Sequence, residues 1–491
     1  MFHSHVEYLS PDTLNRIHKS SLDLLEEVGV VFRSRNAREV LAEHGARVEG
    51  DRVYLPAKMV TSLLEAAPRE FRLRARNPQN DVEISPSSFV LAPGYGCPFV
   101  LGRSHTRRRA TLADYEIFVK LVGSSPHIDI NGGIIVEPHD VDPLVRHIWM
   151  LYLTLSLSDK CIVGSSMGET GAKDTIEMMS LVFGGHEEVQ NRPSVISLIN
   201  ATAPLCYDER MLGALMVYAS YAQPTVIASM AMAGATGPVT LAGTVTLQNA
   251  EVLAGVVLAQ AVHPGAPVVY GAASAITDMR AGTPAIGAPE NAIISSVGAQ
   301  MARYYGIPSR GGGCLTDSKV VDAQAGYESM MHLLAAAVSG VNFVFHAAGV
   351  MDSYMTMSFE KFVVDDEICG MVKRFLGLRG AGQEDCFTAD EALATDVVRR
   401  VGPGGHFLLE DHTLKHHRRE FWSPGVSDRS LLEVWRNLGK TDAFERSEHI
   451  WRERVAGYRP PRLPRHVDDR LRKYVETRQQ ELGVKDLLLS G

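Results

Sequence analysis

The chain has 491 residues, 45% hydrophobic and 22% charged, proportions that exclude disorder as its main state. Its net charge of −8 excludes the basic footprint of a nucleic-acid binder. The six cysteines are never closer than 17 residues and form no CxxC pair. That spacing excludes a zinc ribbon or thioredoxin-type site and fits reduced thiols in a cytoplasmic protein.

The opening MFHSHVEYLSPDTLNRIHKS carries no apolar stretch of signal-peptide length, so the expected location is the cytoplasm. Residues 1–87 read as an N-terminal α+β extension that covers the bottom or side of the central region. It has helical patterns over Leu14–Val28 and Asn36–His44 and short strands near Arg52–Leu55 and Phe71–Arg74.

From residue 88 to 378 a short apolar run is followed repeatedly by a helical pattern. The pairs are Phe89–Ala92 then Thr111–Val122, Ile128–Ile130 then Pro143–Leu157, Lys160–Ser165 then Gly171–Phe183, and Ser194–Asn200 then Glu209–Tyr221. The second half continues with Thr225–Met230 then Thr244–Val262, Pro267–Gly271 then Pro289–Tyr305, Pro308–Gly313 then Asp322–Val338, and Asn342–His346 then Phe359–Leu376. The runs are apolar throughout, as parallel strands covered on both faces require. Eight units predict a closed (β/α)8 barrel of the TIM type rather than an open doubly wound sheet. No GxGxxG follows an early strand, which argues against the open alternative.

Between Met211 and Thr277 the only Asp, Glu, Lys or Arg is Glu251. Pro224, Gly237, Pro238 and Gly243 interrupt this stretch, so it reads as buried core or oligomer interface rather than a membrane span. Residues 379–491 form a mostly helical C-terminal extension. It runs from RGAGQED through a helix at Ala389–Val401 and a proline-rich RPPRLPRH to a terminal helix at Leu471–Leu489.

A barrel of this type builds its site at the C-terminal strand ends. Those ends hold PGYG with Tyr95, Gly132–Gly133, Gly164–Ser166, Asn200, Gly271–Ala273, Gly311–Gly313 and His346, followed by Asp352, Tyr354 and Phe359. Small residues leave room, and carboxylates are scarce. No HxH follows the first strand, against an amidohydrolase metal site, and no carboxylate pair suits glycoside hydrolysis. Aromatics with few ionisable groups suit a cationic, methyl-rich substrate. Taken singly, Tyr95 and Tyr354 read equally well as half-buried structural aromatics.

The loop Gly312, Gly313, Cys314 to Asp317 and Lys319 reads as a pocket loop, either a phosphate cradle or a stretch in which Asp317 and Asp322 cap the next helix. His412 and His416, four apart in EDHTLKHHRREFW, could share a metal on one helix face, although HExxH is absent. That leaves a metal-dependent hydrolase open; a solvated or interface face is the other reading.

The run GGGCLTDSKVVDAQAGYESMMHLLAAAVSGVNFVFHAAGVMDSYMTMSFEKFVVDDEICGM (Gly311–Met371) resembles the trimethylamine methyltransferase family, and EDHTLKHHRREFW is similar to that family's tail motif. The resemblance spans nearly the whole chain and implies a (β/α)8 barrel. It implies transfer of a methyl group from a methylated amine to the Co(I) of a separate corrinoid (cobalamin) protein. The archaeal trimethylamine branch carries pyrrolysine. This sequence has none, which points to the non-pyrrolysine branch and substrates like glycine betaine. The chain lacks DxHxxG, so the corrinoid is expected on a partner, with no metal bound here. By the same resemblance Tyr95, Tyr354 and Phe359 would hold a trimethylammonium, and Asn200 and His346 would bind its carboxylate. No acid–base catalytic residue is expected. A noncatalytic betaine-binding protein is the alternative, and a homo-oligomer is expected.

Overall fold

The computed structural model describes residues 5–103, 106–377 and 393–484. Its centre is an eight-stranded parallel sheet rolled into a nearly closed barrel. The strands are β1 (Val90–Leu91), β2 (Ile130–Gly132), β3 (Cys161–Val163), β4 (Val195–Ala201), β5 (Thr225–Ser229), β6 (Val268–Ala272), β7 (Ser309–Gly312) and β8 (Phe343–Phe345). They pair in sequence from β2 to β8, and β8 returns to β1. The seam between β1 and β2 is bridged by the Asp129 N–H to Leu91 O at 2.8 Å, while the Asp129 carboxylate accepts the Leu91 N–H. Lys373 neutralises that carboxylate at 3.0 Å. Asp129 therefore serves the seam, and β2 starts two residues later than its apolar run suggests.

Each strand is followed by its helix: α1 (Leu112–Ser124), α2 (Arg146–Leu157), α3 (Gly168–Phe183), α4 (Glu209–Ser220), α5 (Leu241–Val262), α6 (Pro289–Tyr305), α7 (Ala323–Val338) and α8 (Phe359–Phe375). Local chemistry sets their ends. Thr111 and Asp114 form a reciprocal capping box at α1, Asp322 caps α7 and Ser358 caps α8, satisfying N–H groups that lack helical partners. Pro289 opens α6 and Gly306, at φ +71°, closes it, an asymmetry that fits each residue's backbone limits.

The barrel interior is filled by alternate strand residues, among them Ile130, Val163, Ile196, Leu198, Val226, Val269, Phe343 and Phe345. Phe71, Leu73 and Ile84 of an N-terminal hairpin join this cluster and plug its lower end. Helices Pro11–Asp23, Arg35–Glu43 and Ala57–Leu64 lie on α5. Helix α5 is long and apolar enough to cross a bilayer, yet 78% of its most apolar window is buried. It is apolar all round because protein covers it all round.

Several short elements of the N-terminal extension have no counterpart in the sequence pattern: the helix Ala57–Leu64 and the strands Val30–Phe32 and Arg47–Glu49. Each is too short for a periodic signal. RGAGQED and the ends of the expected helices at 389–392 and 485–489 lie outside the described residues. The last helix begins at Arg465, inside RPPRLPRH, with Pro464 just before it. The helix Ala443–Gly457 packs on α8, where Trp451 Nε1 donates to Glu360 and Arg454 pairs with Asp366 at 2.6 Å.

Candidate functional site

Two small sheets stand on the C-terminal end of the barrel. One joins Phe99–Leu101 and Arg107–Arg109 to Val350–Met351 and Thr356–Met357; the other comprises Met232–Ala233, Ala275–Asp278 and Thr283–Ala285. They are built from the loops after β1, β5, β6 and β8, and the candidate site lies at the strand ends between them.

His346 follows β8 directly, buried, at φ +60°. Its Nδ1 accepts the backbone N–H of Tyr95 at 3.2 Å. Nε2 has no hydrogen-bond partner among the described residues. Burial, reinforced by the Arg310 guanidinium, pushes the imidazole well below its ordinary pKa, so it is neutral with its proton on Nε2. The ring of Tyr354 lies 4.7 Å away, centroid to centroid, and its hydroxyl has no partner among the described residues. Burial raises that phenol to about 12.

Tyr354 sits at φ +71°, preceded by Asp352 and Ser353 at +54° and +52°. Three successive non-glycine residues in the left-handed region are costly and need support. Ser318 O accepts the Asp352 N–H, Thr316 O accepts that of Ser353, and Ser353 Oγ donates to Asp317 at 2.6 Å.

Tyr95 meets Phe345 edge-on at 5.6 Å, and its hydroxyl reaches Ser166 after β3 at 3.1 Å. It crosses the rim from the first strand to the third. Asn200 lies on β4 in register with the inward-facing Ile196 and Leu198, half-buried. Its amide makes no side-chain hydrogen bond among the described residues. Tyr95, His346 and Tyr354 thus come together, with Asn200 on the opposite wall.

Phe359 does not join them. As the first residue of α8 it packs between Phe118 of α1, at 4.5 Å, and Trp451 of the C-terminal extension, at 4.9 Å. Its side chain is committed to the layer outside the barrel, which corrects the expectation that it contacts substrate.

The loop after β7 is not a phosphate cradle either. Asp317 accepts the N–H groups of Ile286 and Gly287, both at 2.9 Å. Glu328 accepts from Thr316 Oγ1 and the Asp317 N–H. These carboxylates occupy the donors an anion would need, and Asp317 is a loop pin rather than a helix cap. Lys319 is exposed and donates to Asp317 O at 2.6 Å, outside the pocket. Gly312 lines a small cavity with Tyr354. At Gly313 a Cβ would fall 2.6 Å from Ala347 Cα, so only glycine lets β7 and β8 end side by side.

His412 and His416 do share a face of the helix Asp411–Glu420, their rings 4.5 Å apart. Among the described residues no group of three or more His, Cys, Asp or Glu side chains could hold a metal, so a third ligand for the hydrolase reading is missing there.

One residue of the site does not stand out in the sequence. Arg310, in the middle of β7, is 2% exposed and lies over the Phe345 ring at 5.4 Å. The available signal is a lone charge within a buried parallel strand, in PSRGGG.

The family model for trimethylamine methyltransferase (MTTB) matches residues 2–483. A glycine betaine methyltransferase of Desulfitobacterium hafniense (strain Y51) is 48% identical, over 97% of this chain and 98% of its own. A proline betaine:corrinoid methyltransferase of Eubacterium limosum is 31% identical, over 96% and 97%. The crystal structure of the Methanosarcina barkeri monomethylamine methyltransferase superposes with a TM-score of 0.53, at 10% identity, over 94% of this chain and 90% of that one. This last likeness concerns the fold alone.

Proposed function

The chain belongs to the trimethylamine methyltransferase family and is a methyltransferase; from that premise we propose that it moves a methyl group from a carboxylated quaternary amine such as glycine betaine to the Co(I) of a corrinoid carried by a separate protein. The observation that carries this reading is a rim whose loop carboxylates are already engaged. Asp317 holds two backbone N–H groups and Ser353, and Asp352 pairs with Arg107 at 2.5 Å. Behind them, on α8, Asp365 binds Lys361 and the Gly349 N–H. Each of these three carboxylates is committed to a structural contact.

The reaction needs no general acid or base. The methyl carbon passes from nitrogen to cobalt, the C–N electron pair stays on nitrogen, and a neutral tertiary amine leaves. The protein's task reduces to holding the methyl donor in line and excluding water. Tyr95 and Tyr354 offer π faces to the ammonium, each contact worth about 0.5–2 kcal/mol. Asn200 and the Nε2–H of His346 offer donors to the carboxylate. The corrinoid is a second substrate that approaches the open strand ends.

The test is incubation with Co(I)-cobalamin and a panel of betaines, following methylcobalamin by absorbance. Methylation from at least one betaine is expected. No methylation from any, with active cobalamin, would overturn the reading.

A further inference from the structure

Among the described residues Arg310 is a buried cation without a counter-ion. Its Nη1 donates to Ala272 O at 3.2 Å, its Nε has no partner, and among the described residues it forms no ion pair. Burial lowers its pKa to about 10, yet it stays charged at neutral pH. Holding a guanidinium this way strongly disfavours the fold unless an anion arrives.

The surroundings indicate where the anion sits. Arg310 lines a small cavity at the ends of β6 and β7 together with Ser295, His332 and Tyr354. Ser295 Oγ and His332 Nε2 are also buried without partners. Three orphaned polar atoms around one cavity are far outside the usual satisfaction of buried groups. Tyr354 is shared with the His346 cluster, so the cavity adjoins the proposed substrate site.

We infer that Arg310, with Ser295 and His332 beside it, is an anion-binding subsite that takes the carboxylate of the methyl donor together with the Nε2–H of the neighbouring His346, in place of Asn200 on the opposite wall, and makes the enzyme select carboxylated quaternary amines. The inference rests on the betaine reading and deepens it. A guanidinium accepts a carboxylate through charge-assisted, often paired hydrogen bonds. The same charge repels a cation that brings no carboxylate. Choline and tetramethylammonium offer the methyl donor alone, so Arg310 should count against them. The selection therefore has an attractive and a repulsive half.

The probes are glycine betaine, sodium acetate, choline and tetramethylammonium, read by calorimetry and by thermal unfolding of the full chain. The wild type should bind betaine more tightly than choline, and acetate should raise its Tm. Arg310→Met should raise the Tm of the ligand-free protein, abolish the acetate shift and weaken betaine by roughly ten- to hundredfold. Its affinity for tetramethylammonium should hold or improve. Arg310→Lys keeps the charge without the planar fork and should bind betaine at an intermediate level, which serves if the methionine variant does not fold. Parental betaine affinity in Arg310→Met overturns the inference, as does equal loss of betaine and tetramethylammonium. An acetate shift through Arg310 without betaine binding leaves an adventitious small-anion site and overturns the substrate role. Betaine binding through Arg310 without methylcobalamin formation sustains the subsite and defeats the methyl-transfer reading instead.

Discussion

The backbone N–H of Tyr95 donates to Nδ1 of His346 across 3.2 Å, so the loop after β1 decides which nitrogen of the imidazole carries the proton. Nε2–H is left as a donor toward the open end of the barrel. His346→Asn should therefore fold, because asparagine tolerates the φ of +60° found there better than most residues. It should lose most betaine affinity through a shortened donor, roughly ten- to hundredfold for one hydrogen bond to a charged group. Binding should fall at least as far as kcat, since the carboxylate is remote from the transferred methyl group. Calorimetry and steady-state kinetics on the folded variant check this; parental KM would place His346 outside the site.

Phe359 gives the opposite expectation. Stacked between Phe118 and Trp451, it ties the first barrel helix to the C-terminal extension. Phe359→Ala should cost about 3–5 kcal/mol of stability while betaine affinity stays within twofold. Urea unfolding alongside calorimetry separates the two. Intact stability with weakened binding would restore Phe359 to the pocket.

Gly313→Ala tests the junction of β7 and β8. The new methyl would meet three backbone atoms of the His346–Ala347 segment: Ala347 Cα at 2.6 Å, and Ala347 N and His346 O at 2.9 Å. Backbone cannot rotate away as a side chain can, so the two strand ends must separate and His346 must move with them. A lower Tm accompanied by a turnover loss larger than the loss of folded protein is expected. A variant with parental turnover would mean that the strand ends part without disturbing His346.

The legibility of this chain follows the length of its signals. Helix α6 is legible at its observed bounds, Pro289–Tyr305, because proline, an apolar stripe and a closing glycine all mark the same segment. The barrel follows from eight such units. The candidate site is half legible: glycine-flanked Tyr95 and strand-ending His346 stand out in sequence, and the structure brings them into contact. Phe359 misleads because sequence distance from β8 says nothing of side-chain direction, and helix geometry turns it outward. Arg310 stays hidden because an arginine in an apolar strand reads as a surface residue until burial and the lack of a carboxylate are seen together.

Acid should weaken the fold through the histidines that burial keeps neutral. His346 lies well below its ordinary 6.5, with burial the larger cause and Arg310 the second; burial also lowers His332. Below pH 6.5 the unfolded chain therefore binds protons that the folded chain refuses, and stability falls as pH drops. Asp365 works against this trend. Burial raises it to about 6 from 3.8, so its contribution is lost as pH rises through that window. The difference between wild type and His346→Asn cancels Asp365 and isolates the imidazole. From pH 7.5 down to 5 the wild type should lose stability relative to the variant, at no more than about 1.4 kcal/mol per pH unit for one group. Denaturant unfolding at half-unit steps measures it. Parallel profiles would mean that His346 takes up its proton in the folded state as readily as in the unfolded one, and the neutral Nε2–H donor would have to be abandoned.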